Sequence, residues 1–296
     1  MATPPMGRMR SLVALTKPRI IELLLATALP TCFLAAGGLP PVWPTVGVLV
    51  GGSLAAGSAN TFNSVYDRDI DAVMPRTLHR PAALGQVSAR TAVLQGVLLG
   101  IASVVVLLVT ANVLSALLAV AAIVFYAVGY TMLLKRRTPQ NIVWGGAAGC
   151  MPVLIAWAAI TGGLTWAPVV LFLVVFLWTP PHYWPLAIKY REEYAAAGVP
   201  MLPVVRPLTD TAKQIVLYSW GMVAMSLVLI PVAHMGWLYG VGAVVLGGVF
   251  VYLAYALRAR VSDPGQVLPA AMRLFHGSIT YLALLFLLVA IDPFLH

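Results

Sequence analysis

Nine apolar runs dominate the chain: Ile20–Leu39, Val42–Val65, Ala92–Val109, Val113–Leu134, Ile142–Ile160, Ala167–Ile188, Ile215–Ala233, Trp237–Leu257 and Leu274–Ile291. Each approaches the ~20 residues that carry a helix across a bilayer. None shows the alternation of a barrel strand. Thr110-Ala111-Asn112 alone joins the third run to the fourth, and His234-Met235-Gly236 the seventh to the eighth. Joints that short make antiparallel neighbours. The composition, 61% hydrophobic and 9% charged, excludes an ordinary soluble enzyme, in which about one residue in four is charged. It equally excludes a disordered chain. The expected fold is an all-α polytopic membrane protein with nine transmembrane helices, one domain over residues 1–296. The first run is long enough to span rather than to act as a cleaved leader. Cys32 and Cys150 sit inside apolar runs and read as small packing residues.

Charge orients these runs. All 18 Lys and Arg residues fall in alternate connecting segments. Arg8, Arg10, Lys17 and Arg19 precede the first run, and Arg68, Arg76, Arg80 and Arg90 follow the second. Lys135, Arg136 and Arg137 follow the fourth run, Lys189, Arg191, Arg206 and Lys213 the sixth, and Arg258, Arg260 and Arg273 the eighth. The positive-inside rule then predicts a cytoplasmic N-terminus, with His296 on the other side. The +9 net charge is therefore a topology signal, and no nucleic-acid partner is expected. Eight of the nine acids share the basic face: Glu22, Asp67, Asp69, Asp71, Glu192, Glu193, Asp210 and Asp263, with Asp292 the exception. Acids contribute little to orientation, so their concentration there points to a functional site.

The second run leads into Asn60-Thr-Phe-Asn63-Ser-Val-Tyr-Asp67-Arg-Asp69-Ile-Asp71. If the helix continues past the membrane surface, Asn60, Asn63, Asp67 and Asp71 form one stripe and Asp69 points away. Asp67 and Asp71 are then ~6 Å apart along the axis, close enough to repel unless a cation intervenes. Magnesium takes one or two carboxylates together with substrate phosphate oxygens, and the stripe fits that demand. Arg76 and Arg80 follow Pro75 at a spacing of four, within reach of a phosphate. A solvated helix end laced with surface salt bridges is the plainer reading. Two features weigh against it: Asn60 and Asn63 at the membrane edge, where polar residues usually face a cavity, and the small residues of Gly51–Ala59, which suit close packing around one.

The sixth run ends in Trp178-Thr-Pro180-Pro181-His182-Tyr-Trp184-Pro185 and continues to Lys189-Tyr190-Arg191-Glu192-Glu193-Tyr194. Its three prolines predict a broken helix. Lys189 and Glu193 stand at i, i+4, either as a salt bridge or as a second metal or phosphate position. Trp178 and Trp184 read as an interfacial aromatic belt. The fourth run ends in Tyr126-x-x-x-Tyr130 and then Lys135-Arg136-Arg137, cations that set topology and can also meet diphosphate oxygens. No zinc-spaced Cys/His cluster, nucleophile elbow or dinucleotide fingerprint is present.

Taken together these motifs resemble the UbiA superfamily of intramembrane prenyltransferases, whose pattern is matched by Asn63-x-x-x-Asp67-x-x-x-Asp71. Within it, the chain is similar to the protohaem IX farnesyltransferase (haem O synthase) family. That likeness rests on Asp67-Arg-Asp-Ile-Asp71 with Arg76-Thr-x-x-Arg80-Pro81, on Tyr130-Thr-x-x-Leu134-Lys135-Arg136-x-Thr-Pro-x-Asn141, on Trp178-Thr-Pro-Pro-His182-Tyr-Trp184 and on Ala197-Gly-Val-Pro-Met-Leu-Pro203. It runs from Thr16-Lys-Pro-Arg19 to Ser278-Ile-Thr-Tyr-Leu282. One departure stands out: Lys189-x-x-x-Glu193 occupies the place of a second aspartate-rich motif, and Glu193 keeps the charge on a longer arm.

The resemblance implies a nine-helix UbiA-type bundle with its site on the cytoplasmic side, and the lack of a long Arg/Ser-rich leader favours the bacterial plasma membrane as its expected location. It implies transfer of farnesyl from farnesyl diphosphate to a vinyl group of haem b, giving haem O and diphosphate. Haem b is then a substrate and Mg2+ the cofactor, held by Asn63, Asp67 and Asp71. The implied catalytic set is Asn63, Asp67, Asp71, Lys189, Glu193 and Tyr130. The implied substrate-binding set is Arg76, Arg80, Lys135, Arg136, Tyr126, His182 and Arg191, with Arg191 or Arg206 for haem propionates. For His182, contact with haem iron, proton transfer and a plain interfacial role stay open. Haem A synthase or oxidase assembly factors are the implied neighbours. Three other readings remain: the same fold acting on another acceptor such as a quinone precursor, a polytopic transporter, and a non-catalytic haem-binding assembly factor. Transporters place polar sites near the bilayer midplane, whereas the ionisable residues here collect at one face.

Overall fold

The computed structural model describes residues 7–295, so His296 lies outside the described residues. A short helix α1 (Arg8–Leu15) precedes α2 (Pro18–Ala36) and α3 (Val42–Tyr66), and α4 (Arg68–Val73) continues α3 after a kink. Next come α5 (Ala89–Thr110), α6 (Val113–Val124) with a π-helical extension over Phe125–Leu134, α7 (Asn141–Thr161) and α8 (Trp166–Lys189). The short α9 (Arg191–Ala196) and α10 (Leu202–Val205) lead to α11 (Leu208–Ala233), α12 (Trp237–Arg260) and α13 (Val267–Ile291). Among the described residues nine helices are long and apolar enough to cross a membrane: α2, α3, α5, α6 with its extension, α7, α8, α11, α12 and α13.

Consecutive crossings pack on one another and α13 returns to α2, which closes the bundle. The most enclosed crossings are α7 and α8. The first packs against α2, α3, α6 and α8, and the second against α11 and α13 as well. Local chemistry sets the joints. The Asn112 side chain accepts from Ser115 N at 2.9 Å, capping α6, and its Nδ2 donates to Ala158 O at 2.7 Å. That short joint therefore caps one helix and ties it to α7. Gly162, at φ +74°, ends α7 in the left-handed conformation that glycine adopts without strain.

Three expectations change. The break foreseen at the prolines of the sixth run is absent: α8 runs unbroken through Pro180, Pro181 and Pro185. All three are buried, and packing by α7, α11 and α13 holds the helix where propensity alone would end it. The helix gives way instead at Tyr190 (φ −104°, ψ 26°). Trp178 and Trp184 are buried, at 4% and 0% exposure, and so are core residues rather than an interfacial belt. Finally, α11 and α13 begin at Leu208 and Val267, ahead of the apolar runs, because amphipathic turns extend both helices beyond the membrane-length stretch.

Candidate active site

The acidic strip is built where α3 passes into α4. The hydrogen bonds Asp67 N to Asn63 O (2.9 Å) and Asp71 N to Asp67 O (2.8 Å) carry the helical register across the kink. Asn60, Asn63, Asp67 and Asp71 thus stay on one face and are 1–3% exposed. The Asp69 side chain is 61% exposed. Buried carboxylates need partners. Asp67 is bound by Lys135 Nζ, and Arg136 Nη2 stands 3.8 Å from its Oδ1. Arg80 Nη1 donates to both oxygens of Asp71 at 2.9 Å. Removing one partner of such a pair strands a charge, at about 3–5 kcal/mol.

Both amide protons of Asn63 are engaged. Its Nδ2 donates to Asp67 Oδ2 at 2.7 Å and to Thr131 Oγ1 at 3.1 Å, and its Oδ1 accepts from Lys17 Nζ. Lys17 lies between α1 and α2 in a left-handed conformation, φ 53°, which few non-glycine residues adopt outside sites that use it. Burial, with Arg80 and Lys135 nearby, pushes its ammonium down to about 7. Asn60 donates to Thr16 O at 2.9 Å, anchoring that same joint.

The opposite wall comes from the π-helical segment, a widened coil of a kind frequent at functional sites. Thr131 Oγ1 donates to Tyr126 O at 2.8 Å. The rings of Tyr126 and Tyr130 lie 5.4 Å apart. Gly145 on α7 makes room for Tyr130, since a β-carbon there would come within 2.3 Å of the ring. Arg136 forks onto Asp69 through two 2.7 Å bonds and stacks over Tyr66. This guanidinium holds the Asp69 carboxyl down to about 2.

Below the strip an apolar cleft with about 770 Å³ of open space runs between α2, α3, α6 and α7. Asn60 and Tyr126 line its polar end and Ala28, Val48 and Ile155 its far end. Small residues create it, among them Gly52, Ala55, Ala59 and Gly149. By helix rise, Val48 lies ~18 Å from Asn60 along α3.

The α8–α9 end is arranged differently from the expectation. Backbone hydrogen bonds from Tyr190 N to Leu186 O (3.1 Å) and from Tyr194 N to Tyr190 O (3.0 Å) carry across the interruption at Tyr190. Lys189 and Glu193 nonetheless form no bridge, because each side chain takes another partner. Lys189 is exposed and rests over the Tyr190 ring at 5.3 Å. Arg191 is exposed as well. Glu193 approaches Arg76 at 3.9 Å. Arg76 donates to Tyr194 Oη at 2.7 Å and lies over the Tyr190 and Tyr194 rings, and Tyr194 Oη in turn meets Tyr183 Oη at 2.8 Å. His182 stands apart, its ring stacked between Trp178 and Phe275. Arg206 belongs to a separate surface pocket with Gln140, Asp210 and Lys213.

The structure therefore gathers Asn63, Asp67, Asp71, Arg80, Lys135, Arg136, Tyr126 and Tyr130 around one strip, brings Arg76 and Glu193 together beside Tyr194, and leaves Lys189 and Arg191 outside. It adds Lys17, Thr131, Tyr183 and Tyr194, which the sequence reading passed over. Lys17 read only as a topology charge. Its one local signal is a cation directly before a helix-starting proline.

Comparison with known proteins agrees with this architecture. The chain is 57% identical over 286 residues to the protoheme IX farnesyltransferase of Clavibacter sepedonicus, covering 97% of this chain and 93% of that one. It is 56% identical to that of Leifsonia xyli, covering 98% and 96%. Among solved structures it resembles digeranylgeranylglyceryl phosphate synthase, with a TM-score of 0.78 at 16% identity over 97% of this chain and 99% of that one. It also resembles a UbiA homolog from Archaeoglobus fulgidus bound to DMAPP and Mg2+, with a TM-score of 0.67 at 18% identity over 93% and 99%. The model of the UbiA prenyltransferase family matches residues 24–279. A closed bundle of membrane-length helices, carrying its buried acids on the turn that follows the second crossing, is thus placed by sequence as well as by shape: the chain belongs to the UbiA prenyltransferase family.

Proposed function

We propose that the chain transfers the farnesyl group of farnesyl diphosphate to a vinyl group of haem b, with addition of water, yielding haem O and diphosphate. The observation that carries this reading is the pair Asp67 and Asp71, buried on one helix face with Asn63 and surrounded by cations, at the polar end of an apolar cleft. The relatives named protoheme IX farnesyltransferase support the choice of acceptor.

Asn63, Asp67 and Asp71 are the residues that would hold magnesium. Among the described residues no three carboxylate, imidazole or thiolate groups converge, which suits an ion that completes its shell with substrate phosphate and water. Asp67 Oδ1 is sealed and has no hydrogen-bond donor, an acceptor left over for a cation. When bound, the ion supplies positive charge to the leaving diphosphate. Lys17, Arg80, Lys135 and Arg136 add fixed positive charge at the same place. The allylic C–O bond breaks with its electron pair leaving on diphosphate, and the vinyl π electrons form the new C–C bond. Water then adds to the cation on the porphyrin side and a proton is released. Tyr126 and Tyr130 present ring faces that stabilise the allylic cation. The cleft takes the isoprenoid tail and keeps water from the first cation.

The basic end of the bundle faces the cytoplasm by the positive-inside rule, so the site opens there from a bacterial plasma membrane, and residues 1–296 act as one domain. The test is reconstitution of the purified protein with farnesyl diphosphate, haem b and Mg2+, read by mass spectrometry. Haem O and diphosphate are expected, both lost on chelation. Prenylation of a quinone precursor with haem b left unchanged would replace this reading.

A further inference from the structure

His182 is held in a single tautomer. Ser278 Oγ lies 2.7 Å from His182 Nδ1 and 2.5 Å from Phe275 O. A carbonyl only accepts, so the one hydroxyl proton of Ser278 goes to Phe275 O, and Ser278 Oγ accepts from His182 Nδ1–H. Nε2 therefore keeps its lone pair. Nε2 has no hydrogen-bond partner among the described residues, yet it is not among the sealed polar atoms. The ring plane is fixed too. Trp178 stacks on one side at 4.2 Å and 14°, Phe275 on the other at 4.9 Å and 25°. The indole of Trp178 donates to Ser278 O at 2.8 Å, which pins α8 to α13 at the same residue. A histidine that gives one N–H to a fixed acceptor and offers the other nitrogen, in a ring clamped on both faces, has the fixed tautomer and ring plane that a metal ligand uses. Among the described residues no group of three or more His, Cys, Asp or Glu side chains converges to hold a free ion. A metal that brings its own four equatorial donors needs only this one nitrogen.

We infer that His182 Nε2 is an axial ligand to the iron of the porphyrin substrate, and that Ser278 is the positioning residue that sets its tautomer. This inference rests on the reading that the acceptor is a haem. The iron bond fixes the macrocycle by its centre, so that a peripheral vinyl group is presented to the allylic carbon.

The test is titration of the full-length purified protein with ferric haem b, followed by optical and electron paramagnetic resonance spectra. Metal-free protoporphyrin IX is titrated in parallel. Wild type is expected to show a nitrogen-ligated haem. His182→Gly should lose that spectrum, weaken haem b binding by about 10–100-fold and leave metal-free protoporphyrin binding unchanged. Added imidazole should restore the spectrum. Ser278→Ala should weaken haem b binding by about tenfold, and Ser278→Thr, which keeps the hydroxyl, should not. A His182→Gly protein with the wild-type spectrum overturns the inference. So does a wild type that forms haem O without a nitrogen ligand on iron, and in that case the proposed function stands. A protein that binds no haem and forms no haem O sinks the proposed function and the inference with it.

Discussion

In the α3–α4 segment both acids on the inward face have been taken out of water and given a cation: Asp67 has Lys135, and Asp71 has Arg80. In the α8–α9 segment Glu193 is partly exposed, and its cation, Arg76, comes from the loop after α4 and stays 3.9 Å away. Lys189, one turn earlier, faces outward. Both segments carry backbone hydrogen bonds across their interruption, from Asp67 N to Asn63 O and Asp71 N to Asp67 O in the first and from Tyr190 N to Leu186 O and Tyr194 N to Tyr190 O in the second. The difference therefore lies in the cations that neighbouring elements bring to each. Helical spacing sets which side chains share a face, and the elements packed against that face choose their partners.

The contrast predicts a graded set of losses. The largest is at the strip. Asp67→Asn or Asp71→Asn should lower haem O formation by on the order of 10²–10³-fold, because charge opposite the diphosphate is lost, while membrane insertion is retained. An effect no larger than that of changing Glu193 would remove the distinction between the two segments. Next is the cleft that only the first segment adjoins. A β-carbon at Gly149 meets nothing within 4 Å, so Gly149→Leu fits the backbone and fills the space. It should reduce transfer from farnesyl diphosphate by about tenfold or more and spare a shorter prenyl diphosphate. Equal losses for both donors would place the tail elsewhere.

Third, Glu193→Gln should lower turnover by about tenfold through release of Arg76, and Lys189→Ala should leave it unchanged. A Lys189 effect matching that of Glu193 would restore the i, i+4 pair as a working unit. The smallest effect belongs to Asp69. Its carboxyl is lowered to about 2 from 3.8 by hydrogen bonds from Arg136. The pair therefore contributes stability above pH 3.8, and that contribution is lost as pH falls through about 2. Arg136→Gln should move the loss up toward 3.8. Being exposed, the pair is worth little, so acid unfolding followed by circular dichroism should shift slightly. Asp69→Asn should leave haem O formation intact.

The legibility of the site follows the same division. Asn63, Asp67 and Asp71 could be read from spacing because helical periodicity is a local property, and Asp69 could be read as the outlier for the same reason. Arg80 and Lys135 were visible as cations near the strip, though which acid each would meet was not. Lys17 was invisible as a site residue: nothing local says that the joint after α1 folds over Asn63. The Tyr183–Tyr194–Arg76 contacts join three separate elements and leave no spacing to find. The prolines of α8 misled because propensity assumes a helix with no neighbours.

What the amino-acid order determined by itself was the number of crossings, the face that holds the charge and the stripe of polar residues at the end of the second crossing. These depend on hydrophobicity, on charge and on a repeat of 3.6 residues, all properties of short stretches. Tertiary structure alone decided that α8 stays helical through its prolines, that Glu193 turns to Arg76 rather than Lys189, that Lys17 enters the strip, and that Ser278 sets the tautomer of His182. Each of these depends on which surfaces are brought together in a closed bundle, where a buried polar group must take the partner that packing puts within reach.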